Sequence, residues 1–294
     1  MTWLALACGP LLVDEFVVPG DVAAETTLGE EGSGFGTRVA TWNGEVLVTA
    51  PSRGEVTWIG HSALTLGAGS LDPWFAADGA RVGWGGHGIY SVPDGTQVAD
   101  LPASKAFAGD LDAHVWATDD AVIHVDGRSW SLGSVRDLAL DGTRLIALSC
   151  EDGCRAVELV DDGLVELGAA GQGGRVALMD GLACFSDPQT GSDDGQGVVR
   201  CEDGLVLEGA RGDHLGRALG GGYAAGGLNP FQVPLRARIV PLDGGSVLAV
   251  DRSVETRPLD LAADAVQLVI GVPGYPQSLA EAGAVHVVAR DDLP

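Results

Sequence analysis

Gly34-Phe35-Gly36-Thr37-Arg38-Val39-Ala40 runs to a tight turn at Asn43-Gly44, continues as Glu45-Val46-Leu47-Val48-Thr49-Ala50-Pro51 and resumes at Gly54-Glu55-Val56-Thr57-Trp58. The pattern is a short apolar stretch, a turn, a second apolar stretch ending in small residues, then further β-like stretches. It recurs, with turns at Asp78-Gly79, residues 110–112, Asp141-Gly142, Asp180-Gly181, residues 220–222 and Ala263-Asp264. Equivalent turns about 30 to 42 residues apart belong to stacked or radial repeat architectures, in which one small sheet cannot bury its faces alone. Nothing in the pattern names a ligand.

The strand count favours a closed ring. Third strands are followed by fourth ones at residues 63–67, 96–101, 128–133, 163–168, 204–209 and 246–251, which makes six complete units. A seventh has strands at residues 259–262, 266–272 and 284–289 but no fourth strand before Pro294. Phe16-Val17-Val18 is an apolar stretch without a hairpin partner and is expected to supply the missing edge. The expectation is an all-β, seven-bladed β-propeller of four-stranded antiparallel blades, closed by that N-terminal strand, since closure leaves only short protected edges. A pair of β-sandwiches would not need seven similar units. Residues 13–294 are read as one domain, because no linker interrupts the repeats. Among the 45 glycines no collagen period appears, and helical periodicity is nowhere sustained beyond a short patch at residues 278–282.

The chain carries 41 acidic against 17 basic residues, a net charge of −24, and Lys105 is its one lysine. Such a surface repels phosphate backbones and anionic headgroups, so nucleic acid is excluded as an expected partner. Acidity also serves solubility, and an acidic site for a basic partner is the alternative.

Met1-Thr2-Trp3-Leu4-Ala5-Leu6-Ala7-Cys8 resembles the end of a bacterial lipoprotein signal, in which small and apolar residues precede a lipidated cysteine. That resemblance implies a remnant signal and tether over residues 1–12, lipidation of Cys8, and an exported protein of the cell envelope or exterior whose only membrane contact is the anchor. The other four cysteines agree with export. Cys150 and Cys154 flank Glu151-Asp152-Gly153 at a hairpin tip, and Cys184 and Cys201 fall on successive strands. Facing residues of a non-hydrogen-bonded antiparallel pair have Cα atoms about 4.5 Å apart, within disulfide range. The expected bridges are therefore Cys150 to Cys154 and Cys184 to Cys201, with buried free thiols or a zinc site as alternatives.

The quoted first unit, with Leu268-Val269-Ile270-Gly271-Val272-Pro273 and Gly283-Ala284-Val285-His286-Val287-Val288 in the last, resembles the FG-GAP repeat of integrin α-chain propellers and their bacterial relatives. His214-Leu215-Gly216-Arg217-Ala218-Leu219 echoes it in the sixth unit, while units two to five keep only the strand pattern. The resemblance implies a binding or adhesion propeller. In that family Asp-rich loops between the first two strands often hold calcium. Here those positions are tight turns such as Leu140-Asp141-Gly142, so no metal and no cofactor is expected. The loop with several carboxylates, Asp187, Asp193 and Asp194, joins strands two and three and reads as a solvated tip, with a metal site as the alternative.

No catalytic residue is assigned. The histidines at 61, 87, 114, 124, 214 and 286 are scattered without metalloprotease spacing, and no nucleophile elbow occurs. A carboxylate pair across the channel, as in glycosidase propellers, stays open. Trp58, Trp74, Trp84, Trp116 and Trp130 crowd the early units, where aromatics pack between blades. The candidate ligand platform is Trp74, Trp84 and His87, the last within Gly85-Gly86-His87-Gly88, a loop whose backbone a ligand can approach. The functional expectation is thus an exported, monomeric propeller that binds a protein or carbohydrate. A secreted carbohydrate-active hydrolase or lyase on the same fold is the alternative.

Overall fold

The computed structural model describes residues 16–17, 24–30, 32–61, 63–66, 73–75, 81–84, 87–92, 94–101, 106–109, 114–117, 121–124, 128–161, 163–191, 195–229, 236–243, 248–251, 260–273, 276–277, 280–281 and 283–293. Their strands form antiparallel sheets arranged around a channel as a β-propeller. Blade one is Val39–Trp42, Glu45–Ala50, Glu55–Trp58 and Leu64–Thr65. Blade two is Pro73–Phe75, Arg81–Trp84, Gly88–Ser91 and Gln97–Ala99, and blade three is Ala106–Gly109, His114–Ala117, Ala121–His124 and Ser129–Ser131. Blade four is Val135–Asp141, Arg144–Cys150, Cys154–Val160 and Gly163–Ala170, and blade five is Val176–Met179, Leu182–Asp187, Val198–Cys201 and Val206–Glu208. A five-stranded sheet follows, of Ala218–Gly220, Tyr223–Asn229, Arg236–Pro241, Leu248–Asp251 and Phe16–Val17. The closing blade is Asp260–Ala263, Gln267–Val272, Ala284–Ala289 and Ala24–Leu28.

Two sequence expectations are corrected. Among the described residues the four-stranded blades number six, not seven, because the remaining sheet carries a fifth strand. The closing strand is also a different one. Phe16–Val17 pairs with the outer edge of the five-stranded sheet, Phe16 opposite Val250, whereas Ala24–Leu28 pairs with Ala284–Ala289 and completes the closing blade. The physical reason lies in exposure: an outermost strand has little to bury, so Glu25 and Leu28 stand exposed and an apolar sequence is no guide to its position. Val18 lies outside the described residues.

Period-two alternation then builds the core. In blade one Val39, Val46, Val48 and Ala50 face the closing blade and meet Val269 and Val285, while Ala40, Leu47 and Val56 face blade two and meet Val82 and Trp84. Each blade is buried on both faces, so the core is a series of layers between blades. The turns that start the second strands need left-handed backbone, and Asn43-Gly44 and Asp180-Gly181 supply it with φ of 51° and 77°, and 51° and 76°.

The letters of the first and last units meet physically at the ring closure. A Cβ on Gly36 would sit 2.5 Å from the Ala284 carbonyl oxygen, and one on Gly283 would sit 1.9 Å from that of Phe35. Glycine at both positions lets the two loops touch backbone to backbone.

Candidate functional site

The inner strands line a central cavity of about 980 Å³, at the upper end of the volume range of small-molecule and peptide-side-chain pockets. It has two chemically different ends. Residues that begin inner strands form one, and the inner hairpin turns, with the outer turns at residues 203–205 and 242–243, form the other.

At the strand-start end, two matching arrangements stand in blades one and five. Asp260 of the closing blade places Oδ1 3.4 Å from Arg38 Nη1 while Oδ2 accepts the Val39 N–H at 2.9 Å. Asp137 of blade four places Oδ1 3.7 Å from Arg175 Nη1 while Oδ2 accepts the Val176 N–H at 3.0 Å. In both, the carboxylate of one blade holds the arginine and the next backbone amide of the following blade. A buried hydroxyl on the second strand completes each set, since Thr49 Oγ1 accepts from the Arg38 N–H at 3.0 Å and Ser186 Oγ accepts from the Arg175 N–H at 2.8 Å. Ser186 Oγ also donates to the Gly216 carbonyl at 2.7 Å, in the turn that precedes the five-stranded sheet. Burial pushes the Asp137 carboxyl above the usual carboxylate range, opposed by the Arg175 guanidinium and the Val176 amide.

Trp74 of blade two joins these arrangements across the channel. Arg38 Cζ lies 3.8 Å and Arg175 Cζ 5.5 Å from its ring centroid, so both guanidiniums share one aromatic surface. With 8% of its surface exposed, Trp74 acts as the floor of the cavity.

The hairpin end is differently made. Half-buried Met179, Leu205, Leu219 and Leu242 form an apolar lining, with Asp180, Asp203, Asp243 and Asp264 around it and Arg290 as the cation among them. Asp264 Oδ1 accepts the Val266 and Gln267 N–H groups at 2.8 and 3.0 Å, while its Oδ2 is buried without a partner among the described residues. Arg290 lies over the Tyr223 ring at 5.8 Å, and burial raises the Tyr223 hydroxyl pKa. The floor charges cancel in pairs, so the acidic rim sets the field that an approaching ligand meets.

The sequence-proposed platform is divided by the structure. Trp74 lines the cavity, Trp84 is fully buried between blades one and two at 0% exposure, and His87 is exposed, its N–H donating to the Trp84 carbonyl at 3.0 Å. Gly85 and Gly86 lie outside the described residues, as do Cys8, Asp193 and Asp194. Asp187 accepts from the Gln189 N–H at 3.0 Å and from the Thr190 hydroxyl. No group of three or more His, Cys, Asp or Glu among the described residues is placed to hold a metal, and no described helix is long and apolar enough to cross a membrane.

Both disulfides are formed as hairpin geometry requires. Cys150 faces Cys154 and Cys184 faces Cys201 in register, each with Cα atoms 4.1 Å apart. The Arg38–Asp260 and Arg175–Asp137 sets escaped sequence reading, because their partners lie in different units. A signal did exist in the Arg-Val-Ala that opens both inner strands, at residues 38–40 and 175–177.

No protein-family profile matches the chain. No curated protein matches it either. Among solved structures, the WD40 β-propeller domain of Doa1 is similar with a TM-score of 0.60 at 10% identity, over 96% of this chain and all (100%) of that one. The Cps50 (Swd1) β-propeller domain of Myceliophteria thermophila gives 0.57 at 8% identity, over 90% and 99%. A computationally designed protein, Ika8, gives 0.53 at 12%, over 89% and 97%. At these identities the likeness concerns architecture, and together with the sheets described above it makes the chain a β-propeller.

Proposed function

We propose that the protein is an exported interaction module that receives a basic, partly apolar segment of a protein partner at the hairpin end of its channel. The observation that carries this is the rim: an apolar lining of Met179, Leu205, Leu219 and Leu242 surrounded by Asp180, Asp203, Asp243 and Asp264. Apolar area supplies affinity and the carboxylates supply steering and selection for cations. The two disulfides support an oxidising compartment, and with Cys8 as lipid anchor the channel would be presented at the envelope. The FG-GAP relationship is kept as part of this reading, supported by the Phe35-Gly36 loop seated against Gly283-Ala284.

Hydroxyl-radical footprinting with a peptide of alternating arginine and leucine tests the face. Protection at Met179, Leu205 and Leu242 is expected. Protection confined to the blade exteriors contradicts the reading. Mass spectrometry of the native N-terminus tests the anchor separately, and an unmodified Met1 contradicts it.

A further inference from the structure

We propose that the Trp42–Trp58 corner of blade one, at the hairpin end, is a receptor for a single cationic side chain, arginine or lysine, presented by an extended peptide segment. This rests on the reading of the hairpin end as the binding face and names a second contact on it.

The corner follows from strand register. Trp42 and Glu45 are cross-strand partners on either side of the Asn43-Gly44 turn, and Trp58 is the cross-strand partner of Leu47. Alternation puts Trp42, Glu45, Leu47 and Trp58 on one sheet face, the face toward blade two. Leu47 is fully buried there, whereas Trp42 and Trp58 at the end of the layer are only half-buried. Their rings meet edge to face, centroids 5.3 Å apart and planes at 70°, so they make a corner. Phe75 and Tyr90 of blade two, also half-buried, pack into the same layer.

The corner has a carboxylate beside it. Glu45 lies 2.9 Å from His61 Nε2, with side chains 39% and 53% exposed, and the His61 ring stands 4.9 Å from that of Trp58. Indole faces attract cations through the ring quadrupole, and a carboxylate at the rim adds a counter-charge. An anion would meet Glu45 on a chain of net charge −24. The corner is also joined to the acidic rim: Gln267 Nε2 donates to the Gly44 carbonyl at 3.0 Å, tying this turn to the one that carries Asp264. A peptide lying across both turns meets cation-accepting groups at each.

The test uses the full chain labelled at its indole nitrogens and the peptide acetyl-Gly-Arg-Gly-amide, with the citrulline peptide as its neutral isostere. The arginine peptide is expected to shift the indole N–H signals of Trp42 and Trp58, with the citrulline peptide bound about fivefold more weakly or worse. Glu45→Gln, at a part-exposed position, is expected to fold and to lose a similar factor. Trp42→Phe keeps a ring in the corner and should retain part of the affinity. Equal binding of both peptides overturns the proposal. So does an unchanged affinity in Glu45→Gln, or a neutral hexasaccharide that moves the same indole signals when the arginine peptide does not. If the arginine peptide depends on Asp180 and Asp264 and leaves the indoles unmoved, the hairpin face stands and this contact falls. If it binds nowhere on that face, both fall.

Discussion

Arg144 of blade four is held by Glu202 of blade five, Nη2 to Oε1 at 2.6 Å, while the same guanidinium forks onto Glu158 of its own blade with two contacts of 2.9 Å. A third branch donates to the Gly181 carbonyl in the hairpin of blade five at 2.5 Å. Glu202 is fixed in turn, its Oε2 accepting the Ala183 N–H at 3.0 Å. One planar cation thus fastens two blades beside the rim proposed for binding. The hydrogen bond from Arg144 holds the Glu202 carboxyl below its ordinary value and the two glutamates raise the Arg144 pKa.

Replacing Arg144 by Met is expected to cost about 1 to 3 kcal/mol, since forked, charge-assisted bonds exceed the usual surface pair. The pH dependence has a definite sign. A carboxyl whose folded pKa is depressed stabilises above its unfolded value, near 4.5 here, and loses that contribution as pH falls through the folded value. Glu202→Gln should therefore melt below the parent at pH 7, and the difference should vanish in acid. Buried Asp137 is raised instead and acts with the opposite sign, so comparison with the variant isolates Glu202 better than the acid midpoint does. A difference independent of pH contradicts the clamp.

Closure gives a second expectation. Ala24–Leu28 completes the closing blade and Phe16–Val17 only extends an outer edge. Deleting residues 1–20 should change the melting temperature little, whereas deleting residues 1–28 should destabilise strongly by opening the ring. Equal effects of the two deletions, measured by calorimetry, contradict this assignment.

The disulfides should differ in weight. Cys184 and Cys201 are 17 residues apart and Cys150 and Cys154 are 4 apart, so loop-closure entropy assigns about 3 kcal/mol to the first and about 2 kcal/mol to the second. Paired Cys→Ala variants measured by denaturant unfolding check the order, and a larger loss at Cys150 and Cys154 reverses it.

Trp74→Ala should cost about 3 to 5 kcal/mol, the range for removing a large buried ring, because Trp74 belongs to the core of blades two to four and also underlies Arg38 and Arg175. Trp74→Phe should recover much of it. A negligible loss in the Ala variant would mean that the floor does not depend on this ring.

A propeller of antiparallel four-stranded blades was legible because each strand alternates against two neighbouring sheets, but their number was not, six standing among the described residues where seven were expected. The bridges were legible because Cys150 with Cys154 and Cys184 with Cys201 flank their own hairpins. The closing strand was not. Ala24-Glu25-Thr26-Thr27-Leu28 looks less strand-like than Phe16-Val17-Val18, yet an edge position rewards hydrogen bonding and not apolarity. The repeat letters survive in the first, sixth and last units, where glycines at 36, 216 and 283 approach neighbouring chain too closely for a Cβ. Trp84 resisted reading for a different cause: its sequence neighbours look like a loop, but its ring enters the layer between blades one and two. The floor pairs Arg38–Asp260 and Arg175–Asp137 join residues of different units, and no spacing within one repeat encodes that.

The central claim is that the acidic hairpin end is the binding face. Calorimetric titration of the alternating arginine–leucine peptide into the protein and into its Asp180→Asn/Asp243→Asn/Asp264→Asn variant tests it most directly. The account predicts an affinity at least about tenfold weaker for the variant and a dependence on salt that the variant largely loses, as screening of a charged rim requires. Equal affinity and equal salt dependence in the two proteins would contradict it.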